Sequence, residues 1–256
     1  MTVTEEQKKR YSRQLLLKGV GIEGQERLLE GKVLLVGLGG LGSPAALYLA
    51  SAGVGTLGLL DPDVVEEHNL QRQVIHTLGD VGKPKVFSAE EKIKELNPDV
   101  KVRTYAEAFN GRNAMEILEA YDFAIDATDQ FEAKFLIADA CHFTGTPYSH
   151  AGIVGFEGQT MTVIPNETAC YRCVFPSPPE PGQAESPAER GTFGPAAGVL
   201  GTLQAGEAVK FLLGKGELLT DSLLLCDVLT SRFKRVRLER DPHCPLCGKK
   251  PSISGI

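Results

Sequence analysis

The chain has 256 residues, 42% of them hydrophobic and 23% charged, which supports a folded core and excludes a disordered or collagenous protein. Lys and Arg number 27 against 33 Asp and Glu, a net charge of -6, so no overall attraction to nucleic acid or to an anionic membrane is expected. No apolar run of about 20 residues is present, and the polar start MTVTEEQKKRYSRQ is no secretory signal. The expected compartment is therefore the cytoplasm, and the six Cys should be thiols or metal ligands.

Taken in chain order, short apolar strands alternate with helical stretches. Residues 32–36 (KVLLV) read as a buried parallel strand. The glycines GLGGLG follow, then a helix over 43–52. Residues 56–61 read as a second strand ending in an acid. A helix is expected over 83–96, with Pro84 in its first turn and Asn97-Pro98 as its stop. Strand 100–105, helix 112–119, strand 123–126, helix 130–143 and strand 148–153 continue the alternation. This pattern predicts an α/β fold with a doubly wound, Rossmann-like, mostly parallel sheet. Residues 158–164 and 223–238 read as strands of a C-terminal antiparallel extension, and 196–213 as an apolar helix. Between them, 175–195 is rich in Pro, Ser, Glu and Gly without periodicity, the mark of a functional crossing loop or a flexible one.

Gly37, Gly39 and Gly42 form G-x-G-x-x-G between a strand and a helix. Such glycines permit a tight turn, a close approach of backbone to phosphate, and close helix–sheet packing. Free N–H groups at the helix start then hold the anion. Asp61, at the end of the next strand, is placed to bind ribose hydroxyls. A nucleotide site follows, but an NAD(P)-dependent oxidoreductase would carry the same fingerprint. Asn69, Arg72, Gln73 and Lys85 lie just beyond that strand end. Two cations beyond the phosphate loop suit a triphosphate whose leaving group gains charge. Asp129, just past the fourth strand, is a candidate magnesium ligand, whereas Asp126 reads as structural.

The stretch Arg10-Tyr11-Ser12-Arg13-Gln14, the GLGGLG loop, the Asp61 strand end, Asn69-Leu70-Gln71-Arg72-Gln73, GKPK (82–85) and Ala127-Thr128-Asp129 occur in one order and spacing. Together they resemble the ThiF/MoeB/HesA family, bacterial relatives of the ubiquitin-activating enzymes, and are closest in type to MoeB. The likeness covers about the whole chain. It implies ATP-dependent adenylylation of the C-terminal glycine of a ubiquitin-like sulfur carrier ending in Gly-Gly, of the ThiS/MoaD type, in molybdopterin, thiamin or related biosynthesis. By the resemblance Gly37, Gly39, Gly40 and Gly42 cradle phosphates, Asp61 binds ribose, and Asn69, Arg72 and Lys85 contact phosphate groups. Asp129 holds Mg2+, and Arg13 reaches the γ-phosphate of the other protomer, which implies a homodimer. Catalysis by positioning is consistent with this, because a carboxylate nucleophile is already ionised at neutral pH. Where the family carries Asn, Arg and Asn after the magnesium ligand, this chain has Gln130, Lys134 and Ala138. Lys cannot reproduce a bidentate Arg contact. Two further alternatives are a zinc-bearing scaffold with a decayed nucleotide site and adenylylation of a tRNA base; the acidic balance disfavours the second.

Cys170-x-x-Cys173 and Cys244-x-x-Cys247 read as two halves of a four-cysteine Zn2+ site, closed and therefore structural. Redox-active pairs are the alternative. His243 adjoins the second pair and reads as exposed. Cys141 and Cys226 read as buried, inert thiols. His150 is either a cleft residue or a satisfied structural one. Family members that bind the carrier covalently place a Cys in the crossing loop, and here Pro187 occupies that place after Ser186. The expectation is an enzyme that stops at the acyl-adenylate and takes sulfur from a separate donor. The expected organisation is one adenylyltransferase domain, with residues 1–150 as the nucleotide half and 151–256 as the carrier-binding and zinc half, and no rhodanese-like extension.

Overall fold

The computed structural model describes residues 2–180 and 190–256. Ser186 and Pro187, on which the no-thioester expectation rests, lie outside the described residues.

One eight-stranded sheet organises the chain, in the order β3-β2-β1-β4-β5-β6-β7-β8. The parallel strands are β1 (Lys32–Val36), β2 (Thr56–Leu60), β3 (Lys101–Tyr105), β4 (Phe123–Asp126) and β5 (Tyr148–Val154). Antiparallel pairing then adds β6 (Glu157–Val163), β7 (Ser222–Asp227) and β8 (Arg232–Arg237). The expected doubly wound sheet and its C-terminal extension are both present.

Alternating side chains of β1 explain the two helical layers. Val33 and Leu35 face one core with α3 (Gly21–Glu30), α4 (Gly42–Ala52), α5 (Lys85–Leu96) and α9 (Gly194–Leu213). Leu34 and Val36 face a second core with α6 (Ala114–Leu118), α7 (Phe131–Thr144) and the cysteine cluster. A strand covered on both faces must be apolar throughout, which is why KVLLV does not alternate in polarity. Strand order reverses between β1 and β4, so a crevice opens beyond their carboxyl ends, where doubly wound sheets bind ligands.

Helix boundaries shift by one to two residues from the sequence reading. Pro84 is the N-cap of α5 and not part of its first turn. The helix α9 starts at Gly194, two residues early, because Pro195 fits its first turn. The 223–238 run splits into β7 and β8 around Ser231, whose φ of 56 makes the turn. Three N-terminal helices escaped the sequence reading: α1 (Glu5–Arg10), α2 (Ser12–Leu15) and α3. A short helix, α8 (Tyr171–Val174), holds Cys173, and Cys170 is its N-cap. Among the described residues no helix is long and apolar enough to cross a membrane.

Candidate active site and metal centre

A cavity of about 1170 Å³ runs along the carboxyl ends of the strands. Its lining includes Gly37, Gly39, Gly40, Asp61, Asn69, Arg72, Gln73, Lys85 and Asp129. Residues spread over almost 100 positions therefore meet in one place, as the sequence pattern required. Gly42 stands just behind, at the start of α4.

Two of the glycines are demanded by geometry. Gly37 has a φ of 97, and a Cβ there would come 2.7 Å from the Ala127 carbonyl oxygen. A Cβ on Gly42 would collide with the Gly37 carbonyl. Gly39 is different: an added Cβ would meet only the Gln73 side chain, at 3.7 Å. Its face is open to the cavity. The Gly37 N–H donates to the Leu60 carbonyl and the Leu38 N–H to Asp61, which leaves the N–H groups of Gly39, Gly40 and the α4 N-terminus as the ones suited to an anion.

Asp61 is buried and ties the loop to β2. Its Oδ2 accepts from the Leu38 N–H at 2.7 Å, and its Oδ1 accepts from the Asp63 N–H at 2.9 Å. Burial pushes its carboxyl up, against the pull of Lys85 and these amides. The Lys85 ammonium, also buried, donates to Asp63 at 2.7 Å and stands 3.9 Å from Asp61. Asp63, an exposed carboxylate not singled out in the sequence, thus competes for the cation that a phosphate would need. Asn69 is buried and caps its own turn through the Glu66 N–H. Gln73 is buried with its Oε1 unpartnered. Arg72 donates to the His68 carbonyl at 3.2 Å, which leaves most of its guanidinium donors for a ligand. Asp129 is exposed at the mouth.

Beneath the mouth lies a buried ionic cluster. Asp126 ends β4 and is structural, as expected. Burial would raise its carboxyl, but the Lys134 ammonium and the His150 and Thr128 hydrogen bonds outweigh it and hold it at about 2. Lys134 Nζ donates to the Ala151 carbonyl at 2.6 Å and lies 3.4 Å from Asp126. His150 Nδ1 sits 2.7 Å from Asp126 Oδ2. His150 lines the cavity, as the first alternative had it; it is buried and bonded to Asp126, but its Nε2 has no partner, so it is not a satisfied structural histidine. Lys134 lines the cavity while spending its ammonium on the Ala151 carbonyl and Asp126.

The far end of the cavity was not legible in the sequence. Gly152, Gly158 and Gln159 of β5 and β6, and Cys226, Arg232 and Lys234 of β7 and β8, line it. Cys226 and Cys141 are buried thiols, as expected, and burial raises both. Gly191 and Thr192, where the crossing segment returns, close one wall. That return is pinned by the Gly155 N–H to the Gly191 carbonyl at 2.8 Å and by Phe156 against Phe193.

Arg13 does not line the cavity of its own chain and is exposed. Its neighbours explain why. The Tyr11 hydroxyl accepts from Asn97 at 2.8 Å, and Gln14 donates to Gln25 and to the Ala52 carbonyl. With Tyr11 and Gln14 anchored inward, the Arg13 side chain is left outside.

The sulfurs of Cys170, Cys173, Cys244 and Cys247 lie within 4.8 Å of one another. The pairs Cys170–Cys173, Cys170–Cys244 and Cys173–Cys247 are 3.7, 3.5 and 3.4 Å apart. A tetrahedral Zn2+ with Zn–S of about 2.3 Å needs S···S edges of about 3.8 Å, so the donor set fits that ion. The Asp241 and Cys247 N–H groups donate to the Cys173 and Cys244 sulfurs, which favours the thiolate form that a metal needs. His243 is exposed and outside the cluster. From the same turn, Tyr171 reaches the cavity and packs against His150 with the ring centroids 4.6 Å apart and the planes tilted. Arg172 grips Asp139 of α7 with two bonds of 2.6 and 2.8 Å.

Comparison with known proteins agrees with this geometry. The sulfur carrier protein adenylyltransferase of Thermus thermophilus is 44% identical over 98% of this chain and 95% of its own. The SAMP-activating enzyme E1 of Haloferax volcanii is 45% identical over 94% of this chain and 88% of its own. The crystal structure of E. coli MccB with ATP superposes with a TM-score of 0.82 at 26% identity, covering 93% of this chain and 74% of MccB. These names fit adenylylation and not hydride transfer. The ThiF family profile matches residues 11–246, and the chain belongs to the ThiF family.

Proposed function

We propose that this chain is an ATP-dependent adenylyltransferase that activates the C-terminal glycine carboxylate of a ubiquitin-like sulfur carrier. The carrying observation is a single continuous cavity. One end holds the glycine loop, Asp61, Arg72 and Lys85, and the other runs on along β5, β6 and β7 past Gly152 and Gly158. Gly152, where an added Cβ would meet nothing closer than 3.9 Å, leaves room for an extended Gly-Gly tail, while Gly158 lets its strand pack against Leu200.

The carboxylate oxygen attacks the α-phosphorus of ATP, the bond from that phosphorus to the bridging oxygen breaks, and pyrophosphate leaves. No general base is needed, because the nucleophile is ionised at neutral pH. Negative charge grows on the leaving group, so catalysis rests on placed donors and cations. Gly39, Gly40 and Gly42 would present backbone N–H groups, while Gly37, whose N–H donates to the Leu60 carbonyl, would serve the phosphates only by making the turn. Asp61 would accept from ribose hydroxyls. Asn69, Gln73, Arg72 and Lys85 would meet the phosphates, with Lys85 leaving Asp63 for them. Asp129 would hold Mg2+, which when bound offsets phosphate charge. Zn2+ in the four thiolates would be structural, since the set leaves no open position.

Residues 1–150 form the nucleotide half in this reading, and 151–256 the carrier and zinc half. Sulfur would come from a separate donor acting on the acyl-adenylate. Arg13 would serve the γ-phosphate in the partner's cavity of a homodimer.

ATP–pyrophosphate exchange tests the reading. Exchange should require a carrier ending in Gly-Gly and vanish when the last Gly is removed. Arg72→Ala should lower it at least about a hundredfold while the folded chain persists. Exchange independent of the tail would refute the carrier, and a reductant-sensitive chain–carrier adduct would refute the separate donor.

A further inference from the structure

The Leu38 peptide sits inside the glycine loop and is held on both sides. Its N–H donates to Asp61. Its carbonyl accepts from Ser43 Oγ at 3.3 Å and lies 3.3 Å from His76 Nε2. The other ring nitrogen, Nδ1, lies 2.8 Å from Ser88 Oγ. His76 is buried and Ser88 completely so. Burial keeps the imidazole neutral by pushing it down to about 4, the Leu38 bond opposing and Lys85 adding to the fall. A neutral ring has one donor and one acceptor. Nε2–H therefore donates to Leu38, and Nδ1 accepts from the Ser88 hydroxyl.

Ser88 belongs to α5, three residues after Lys85. The two anion-binding arms, loop amides and ammonium, come from different elements, with α4, β2 and the largely irregular residues 61–84 between them. Their separation must match a polyphosphate closely, because small misplacements are costly at such sites. His76 spans that gap with both nitrogens engaged, whereas an apolar ring would fill the same space and bridge nothing.

We propose that His76 is a positioning residue that fixes the glycine loop relative to Lys85 through the Leu38 carbonyl and the Ser88 hydroxyl, and so sets the affinity for the phosphates of ATP. The proposal rests on the adenylyltransferase reading. Direct binding separates the two, since it needs no carrier. The affinities for ATP and for adenosine, which has no phosphates, should be measured in wild type, His76→Phe and Ser88→Ala. His76→Phe keeps ring volume and should weaken ATP at least about tenfold while leaving adenosine within about twofold. Ser88→Ala removes one hydrogen bond and should weaken ATP about threefold to tenfold. The double variant should bind ATP no worse than His76→Phe, because both changes break one chain of contacts. Equal loss for ATP and adenosine, or unchanged ATP affinity in either variant, overturns the proposal. If His76→Phe does not fold, Ser88→Ala decides alone. A wild-type chain that binds no ATP overturns the adenylyltransferase reading and this proposal with it.

Discussion

Gly39 and Gly42 are three positions apart and have opposite duties. Gly42 is needed by the fold, because any Cβ there runs into the Gly37 carbonyl. Gly39 is not, because the nearest atom to an added Cβ is the movable end of Gln73 at 3.7 Å. The open space above Gly39 is where phosphate would approach. Gly39→Ala should therefore melt within about 2 °C of wild type, yet bind ATP at least about tenfold more weakly. Gly42→Ala should lose roughly 1–3 kcal/mol or more of stability through overpacking against backbone. Thermal melts paired with ATP titrations check both, and Gly39→Ala with unchanged ATP affinity would mean that phosphate does not lie there. The same pair shows what a motif can and cannot convey. G-x-G-x-x-G marks the turn, but which glycine serves packing and which serves the ligand follows only from the three-dimensional distances. Lys134 makes the same point. In the sequence it stands where the family carries Arg, and only its bonds to Ala151 and Asp126 reveal a charge-balancing role.

At the scale of elements, the four cysteines join parts of the chain that the sheet alone does not. Cys170 caps α8 and Cys173 sits on it, while Cys244 and Cys247 sit in the turn after β8. Tyr171 and Arg172, between the first pair, reach the cavity and α7. Closing this long loop by metal removes freedom from the unfolded chain. Purified protein should contain about one zinc per chain. Its removal by chelation should lower the melting temperature by at least about 5 °C and make four thiols reactive, while the buried Cys141 and Cys226 stay protected. Metal-free protein with an unchanged melt would contradict a structural ion. The cysteine spacing was legible in sequence because ligand geometry is local at each pair. The parallel strands were legible because burial on both faces leaves an unbroken apolar run, as in KVLLV. The N-terminal helices were not, since α1 buries no residue and α2 is four residues long. A local signal did exist: Thr4 and Gln7 form a capping box, bonded at 3.1 and 3.2 Å.

For the whole molecule, the question is why a motif as distinctive as Arg-Tyr-Ser-Arg-Gln places its second arginine away from the cavity. The end proposed to take the nucleotide was readable in sequence because its residues cluster just after strand ends, where ligands gather in such sheets. The far end was not, because Gln159, Arg232 and Lys234 meet the cavity only through antiparallel pairing of β6, β7 and β8. Arg13 belongs to neither end of its own chain. Beside it Leu16, Leu17 and Ile22 are exposed, and Leu16 is 75% accessible, an apolar face of the kind that a second copy covers. If Arg13 acts in the partner's cavity, the two arginines needed for one reaction come from different chains. Arg13→Ala and Arg72→Ala should then each be nearly inactive alone. Mixed in equal amounts and allowed to exchange subunits, half of the dimers are mixed, and each mixed dimer holds one cavity with both arginines intact. About a quarter of wild-type exchange activity should return, as two-fold symmetry requires. An arginine acting within its own chain would give no recovery at any ratio, so the size of the regained activity reports directly on whether the site is completed across the dimer.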